Sequence, residues 1–294
     1  MKDIDNILIC GLGAIGSIYA DKIKGARVLV DKERLERYKK NPTYFNGELL
    51  SPDYILPDDK GFEADLIIIA TKFDGFGQAV ENIKNFVGKN TVILSLLNGV
   101  TSEKLLIGKY GADKVLYSYF IGHSAVRVGR HITQDGVNTI VFGSPDKNNK
   151  NIERVKKYFD KVGVNYNIPD DIIHSMWLKY MLNVSSNQTT ALLGYTFGQM
   201  LSNERCMKFV KNVMKEVQTI AKAEGVNNTE TMIDEALCSL NKMCPEGKTS
   251  MLQDVEAGRK TEVDMFAGVM IELGKKHNIE VPYNKVLKEL IEIY

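Results

Sequence analysis

Apolar residues come in short, nearly uninterrupted runs along the first half of the chain and at helical spacing along the second. "NILIC" (6–10) reads as a buried strand, "AIGSIYADKI" (14–23) as a helix stopped by Gly25, and "ARVLVD" (26–31) as a second strand. Further β-branched runs follow at "ADLIIIAT" (64–71) and "NTVILSLLN" (90–98). Strands that are apolar on both faces belong to a parallel sheet with helices on either side. From 115 to 143 the runs shorten and alternate with polar residues: "VLYSYFI", "SAVRV", "HITQ" and "NTIVFG" predict an antiparallel extension of that sheet. "KNIERVKKYFDKVG" (150–163) is an amphipathic helix, and "VNYNI" (164–168) a last strand.

Beyond Pro169 strand-like runs cease. Asp170 and Asp171 are placed to cap a helix carrying "IIHSMWLKYMLNVSSNQTTALL". "NERCMKFVKNVMKEVQTIAKAEG" (203–225) and "TEVDMFAGVMIELGKKHN" (261–278) continue the helical pattern, without internal repeat or low-complexity tract. The expected architecture is therefore α/β: a Rossmann-type dinucleotide-binding domain over 1–168, then an all-helical C-terminal domain over 169–294 that carries the substrate and catalytic groups.

Composition narrows the function. A length of 294 residues suffices for two domains, and a net charge of +1 supplies no pull toward nucleic acid, a membrane surface or a polyanion. No run approaches 18 apolar residues, and the N-terminus lacks a signal-like apolar core, so neither a membrane span nor a leader is expected. Cys10, Cys206, Cys238 and Cys244 are scattered, with no histidine at ligand spacing, which predicts a reduced cytoplasmic setting and no metal.

"CGLGAIGS" holds G-x-G-x-x-G as Gly11, Gly13 and Gly16, directly after a predicted strand and opening a predicted helix. In that context Gly11 permits the tight turn, Gly13 lets backbone approach a pyrophosphate, and Gly16 lets helix pack on strand. The loop Gly11, Leu12, Gly13, Ala14, Ile15 and Gly16 is the expected cofactor cradle. Asp31, twenty residues after Gly11, suits the ribose 2′-hydroxyl of NAD(H), whereas neighbouring Lys32 and Arg34 suit the 2′-phosphate of NADP(H). Both cofactors stay open.

In "WLKYMLNVSSNQ" (177–188), Lys179, Asn183 and Asn187 share one helix face. Two uses compete: a solvated stripe, or a lysine donating a proton to a carbonyl while two amides orient a small polar substrate. With "GLGAIGS", "ATK" ending at Lys72, "LLNGV" with Asn98 and Gly99, and "SMLQDVEAGRKTEVDMFAGVMIELGKKHNIEVP" (250–282), the chain resembles the ketopantoate reductase (2-dehydropantoate 2-reductase) family over nearly its full length. The resemblance implies NAD(P)H-dependent reduction of ketopantoate to (R)-pantoate. It further implies Lys179 as the catalytic acid, Glu262 as its acidic partner, Asn183, Asn187 and Ser250 as substrate contacts, Asn98 lining the nicotinamide side of an interdomain cleft, and Lys72 on the cofactor side. The sequence departs from the family's pattern at Asp31, where a basic residue is typical, and at Gln188, where proline is common.

His123, His131, His174 and His277 lack triad or ligand spacing, and Ser185-Ser186 lacks a nucleophile-elbow context and reads as packing or capping. The Met and aromatic residues of 203–243 read as core or as contact with a second copy in a homodimer. Two other functions remain beside the leading one: reduction of another small branched 2-oxo acid, and non-catalytic dinucleotide sensing. The set Lys179, Asn183, Ser250 and Glu262 weighs against sensing, which has no use for it.

Overall fold

Strand β1 (Ile7–Cys10) is buried throughout and divides its side chains between two cores. Ile7 and Ile9 join Ile68 and Leu94 on one face of the sheet, while Leu8 and Cys10 join Ile67 and Ile93 on the other. A sheet apolar on both faces must be covered twice, and the crossover helices do so. The computed structural model describes residues 2–122 and 125–293. His123, Ser124 of the expected "SAVRV" strand, and the terminal Met1 and Tyr294 lie outside the described residues.

After β1 come α1 (Ala14–Lys22), β2 (Arg27–Leu29), α2 (Lys32–Lys40), β3 (Thr43–Phe45), β4 (Glu48–Leu50), β5 (Asp53–Ile55) and β6 (Ala64–Ile69). Then follow α3 (Phe76–Asn82), β7 (Val87–Ser95), α4 (Ser102–Tyr110), β8 (Val115–Gly122), β9 (Val126–Val128), β10 (His131–Thr133), β11 (Asn138–Gly143), α5 (Lys150–Val162) and β12 (Tyr166–Asn167). The main sheet runs β12-β11-β8-β7-β6-β1-β2-β5, parallel except where β8 meets β11. β1 lies between β2 and β6, so the chain leaves it on one side and returns on the other. That makes its carboxyl end a topological switch point, where open α/β sheets bind ligands.

Two expectations are corrected. "VLYSYFI" and "NTIVFG" extend the main sheet as β8 and β11, but "HITQ" and the described part of "SAVRV" do not. They form β10 and β9 of a second sheet ordered β4-β3-β10-β9. His131 pairs with Tyr44, their rings stacked 4.9 Å apart, and Ile132 is buried. Alternation identifies the inward residues of a three-residue strand but not the strand it pairs with. The second correction is positional: the run expected as a strand over 90–98 ends at Ser95, so Asn98 stands three residues beyond it in a loop. β3, β4 and β5 are additions to the sequence reading. Asn46 and Gly47, both with positive φ, form the turn between β3 and β4, and that Asn-Gly pair is the signal that marks the hairpin.

A second compact unit begins at Ile173. Its helix α6 (Ile172–Leu182) runs through a π turn (Asn183–Asn187) into α7 (Gln188–Leu193), followed by α8 (Phe197–Ser202), α9 (Glu204–Ala223), α10 (Met232–Leu240) and α11 (Ser250–Glu256). A second π turn (Asp264–Gly268) leads into α12 (Val269–His277), and α13 (Pro282–Ile291) closes the unit. Asn203 caps α9 by accepting from Cys206 N at 3.1 Å, and Met214 and Met232 are core residues. The two helices expected as regular over 172–193 and 261–278 each contain a π turn, a feature that hydrophobic spacing does not encode and that concentrates at functional sites. Among the described residues no helix is long and apolar enough to cross a membrane, and no group of three or more acidic, His or Cys side chains is arranged to hold a metal.

Candidate active site

The glycine loop leaves the carboxyl end of β1 and is tied to β6, where Ala70 N donates to Cys10 O at 2.8 Å. Each glycine has its own reason. Gly11 has φ +101°, and a Cβ there would lie 2.8 Å from Ala70 O. A Cβ on Gly16 would lie 1.9 Å from Gly11 O, so strand and helix can approach only without it. At Gly13 the nearest atom, Ala70 O, is 4.0 Å away, so the fold itself leaves room for a side chain there. Gly13 caps α1 with no side chain to offer, and the first turn, from Ala14 through Ile15 and Gly16, holds no acid. The amides at this helix start are thus left for an anion, and the cradle fits a dinucleotide pyrophosphate. Leu12 itself is buried. Lys72 is exposed and follows Thr71, whose Cγ2 lies 3.0 Å from where a Gly11 Cβ would be, so "ATK" adjoins the glycine loop.

Asp31 is already engaged. It caps α2, its Oδ1 accepting from Arg34 N at 2.6 Å while Oδ2 lies 3.5 Å from Arg34 Nε. The residue expected to read a ribose therefore also starts a helix and faces a guanidinium.

Asn98 is half-buried beside Gly99, whose φ is +107°. The segment is anchored from below by side chains that the sequence did not single out. Ser95 N donates to Ser118 Oγ, and Ser118 Oγ donates back to Ser95 O, both at 2.9 Å. Ser95 Oγ donates to Ser102 Oγ at 3.0 Å, which donates to Glu103 Oε2 at 2.9 Å. Glu103 is fully buried, its Oε1 without a partner among the described residues, and burial pushes its carboxyl up to about 7. Below pH 4.5, folded and unfolded chains both carry this proton. Between about 4.5 and about 7 only the folded chain does, so stability declines as pH rises through that window, by roughly 1.4 kcal/mol per pH unit. Melting of wild type and Glu103→Gln across pH 4.5 to 7.5 checks this: the variant should lose that part of the slope, and parallel curves would rule it out.

The polar face of α6 is not a solvated stripe. Asn183 is 3% and Asn187 8% exposed, and Lys179 is partly buried. Loss of hydration lowers the Lys179 pKa from its ordinary value. Asn183 Nδ2 is buried without a partner among the described residues, an arrangement that costs about 1–3 kcal/mol in a protein with nothing to receive the N–H. Asn187 Nδ2 donates to Ser250 Oγ at 3.3 Å, and Thr190 Oγ1 lies 2.8 Å from Thr249 Oγ1, the cap of α11. The structure therefore joins two of the expected substrate contacts that lie 63 residues apart in sequence. Ser185 and Ser186 pack: their hydroxyls donate to Met181 O and Leu182 O, and neither caps a helix. Gln188 folds its amide back onto Val184 O at 2.7 Å, inside the π turn, where a proline would leave that carbonyl without this donor.

Tyr180, beside Lys179, is the group sequence reasoning missed. Its buried hydroxyl lies 2.8 Å from Phe266 O and 3.1 Å from Met265 O, and so binds α6 to the second π turn. Glu262 stands just ahead of that turn, its carbonyl accepting from Met265 N and Phe266 N. A tyrosine amid aliphatic residues was the only hint, and it reads equally well as core. His174, considered near Lys179, instead bridges Asn227 O and Glu235 Oε2, a structural tie between α6 and the α10 region.

Comparison with known proteins bears on both units. The family model described as ketopantoate reductase PanE/ApbA matches residues 7–147, and its C-terminal counterpart matches 171–294. The chain is 28% identical to a Streptococcus pyogenes 2-dehydropantoate 2-reductase, covering 97% of this chain and 96% of that one. It is 24% identical to the solved 2-dehydropantoate 2-reductase of Geobacter metallireducens, with a TM-score of 0.82 over 98% of this chain and 99% of that one. A ternary structure of D-mandelate dehydrogenase with NADH and anilino(oxo)acetate aligns with a TM-score of 0.84 at 21% identity, covering 98% and 97%. At those identities the two solved structures establish the shared fold.

Proposed function

Since the chain belongs to the ketopantoate reductase family, we infer that it is an oxidoreductase reducing 2-dehydropantoate to (R)-pantoate with a reduced nicotinamide dinucleotide. The observation that carries the reading furthest is the face continued from α6 into the π turn, where a lysine of lowered pKa stands in line with a buried amide unpartnered among the described residues. Solvated lysines and asparagines need neither feature.

When bound, the nicotinamide supplies the hydride that adds to the ketone carbon. Lys179 Nζ donates the matching proton to the ketone oxygen and regains it from solvent, so ketone, hydride and proton account for the alcohol. A lowered pKa makes that ammonium a better acid than an exposed lysine. Asn183 Nδ2 donates to a polar oxygen of the substrate, and Asn187, oriented by Ser250, presents its carbonyl to the substrate hydroxyl. Glu262 orients and charge-balances Lys179, Asn98 lines the nicotinamide side, and Lys72 with the glycine loop holds the cofactor. The cofactor we favour is NADPH: Asp31 is occupied in capping α2 and pairing with Arg34, which leaves a half-exposed guanidinium for a 2′-phosphate. Four free cysteines suit the reducing cytoplasm.

The test is oxidation of NADPH and of NADH by the purified chain with ketopantoate, beside a panel of other 2-oxo acids that includes aryl ones. Ketopantoate-dependent oxidation, faster with NADPH and leading the panel in kcat/KM by at least tenfold, is the expected result. An aryl 2-oxo acid at the head of the panel would move the substrate to the class suggested by the D-mandelate dehydrogenase likeness. Cofactor binding without turnover on any oxo acid would leave a sensor.

A further inference from the structure

Arg127, on the edge strand of the second sheet, reaches across 115 residues of sequence to the middle of the glycine loop: its Nη1 donates to Leu12 O at 3.2 Å. Its Nε donates to Gly129 O at 3.1 Å, which braces the side chain against its own turn. Of the five N–H donors of a guanidinium these bonds use two, so three remain, both on Nη2 among them. Arg127 is exposed, and no carboxylate pairs with it among the described residues.

Its placement is electrostatically unfavourable in the protein alone. The start of α1 carries the positive end of the helix dipole, with no acid in the first turn and no side-chain cap. A permanently charged guanidinium set beside it adds like charge to like. An anion that both can face relieves the arrangement, and the open space over Gly13 is where the backbone admits one.

We propose that Arg127 is a cofactor-binding residue: its guanidinium closes over the glycine loop and donates to the pyrophosphate of the bound dinucleotide. The second sheet then has a function beyond packing, since β10 holds β9, and with it Arg127, against the loop. The pyrophosphate, and not the 2′-phosphate, is the assigned partner because Arg127 contacts the loop after β1, whereas the ribose-reading position lies after β2 at Asp31. The assignment rests on the dinucleotide reading above and adds a residue that the glycine motif does not contain.

The experiment is fluorescence titration of NADH and NADPH into wild type, Arg127→Ala and Arg127→Gln at low and moderate salt, with melting temperatures alongside. Both variants should melt within about 2 °C of wild type, as exposed substitutions do. Both should also bind NADH and NADPH more weakly by the same factor, roughly 10- to 100-fold, with a shallower salt dependence. Glutamine keeps a donor for Leu12 O without the charge, so restoration of wild-type affinity by glutamine would reduce Arg127 to a brace for the loop and overturn the proposal. Loss confined to NADPH would overturn it in favour of the 2′-phosphate. Unchanged affinity in Arg127→Ala, with wild type binding well, sinks this proposal alone. Failure of wild type to bind either cofactor sinks the dinucleotide reading with it.

Discussion

Replacing Lys179 with alanine is expected to lower kcat for ketopantoate by roughly 10²- to 10⁴-fold, the usual range for removal of a positioned general acid. Cofactor affinity should change less than threefold, because Lys179 stands on α6 and the cofactor cradle on the glycine loop. The same assignment predicts the alkaline limb of the wild-type pH profile. Turnover needs the protonated amine, and burial lowers its pKa, so kcat should fall with rising pH at a midpoint below that of an ordinary lysine. Lysine to arginine separates charge from acidity: arginine stays charged but is too weak an acid to release its proton, so turnover should remain low. Turnover within tenfold of wild type in the alanine variant would remove Lys179 from the mechanism, whatever the substrate proved to be.

The second large effect is expected in the glycine loop, where two substitutions of the same size should part company. Gly16→Ala places a methyl 1.9 Å from Gly11 O, a backbone atom that moves only if β1 and α1 separate. Overpacking of this kind costs about 1–3 kcal/mol, so the variant should melt lower and bind NADPH on the order of 100-fold more weakly. Gly13→Ala adds its methyl where the nearest atom is 4.0 Å away and φ is −80°, so the fold should tolerate it. Its melting temperature should stay within about 2 °C of wild type while its cofactor affinity falls, because the space it fills is the one assigned to the pyrophosphate. Thermal melts read beside NADPH titrations distinguish the two. Normal binding by Gly13→Ala would contradict the placement of the pyrophosphate over Gly13.

The legible part of this protein was local. Nearly uninterrupted apolar runs placed β1, β2, β6 and β7 in a doubly covered sheet, and the glycine spacing located the loop that the structure crowds at Gly11 and Gly16 and leaves open at Gly13. Spacing also aligned Lys179, Asn183 and Asn187, but it could not choose between solvent and interior. That choice depends on what packs over the face, and the answer lies in α11 and the second π turn, far away in sequence. Asp31 illustrates the opposite difficulty. Its position suits a ribose contact, yet the same carboxylate caps α2, and one residue three positions on, Arg34, engages both of its oxygens.

By itself, then, the sequence determined the α/β-then-helical plan, the glycine loop and the alignment of Lys179 with two asparagines, because each is written in spacings of a few residues that backbone geometry translates directly. Tertiary structure alone decided that β9 and β10 build a separate sheet, that Asn183 is buried with its amide unpartnered among the described residues, and that Arg127 meets Leu12. A three-residue strand or a single polar side chain carries too little local information to specify its partner. The partner is selected by burial and hydrogen bonding across the folded chain, which no short window of sequence contains.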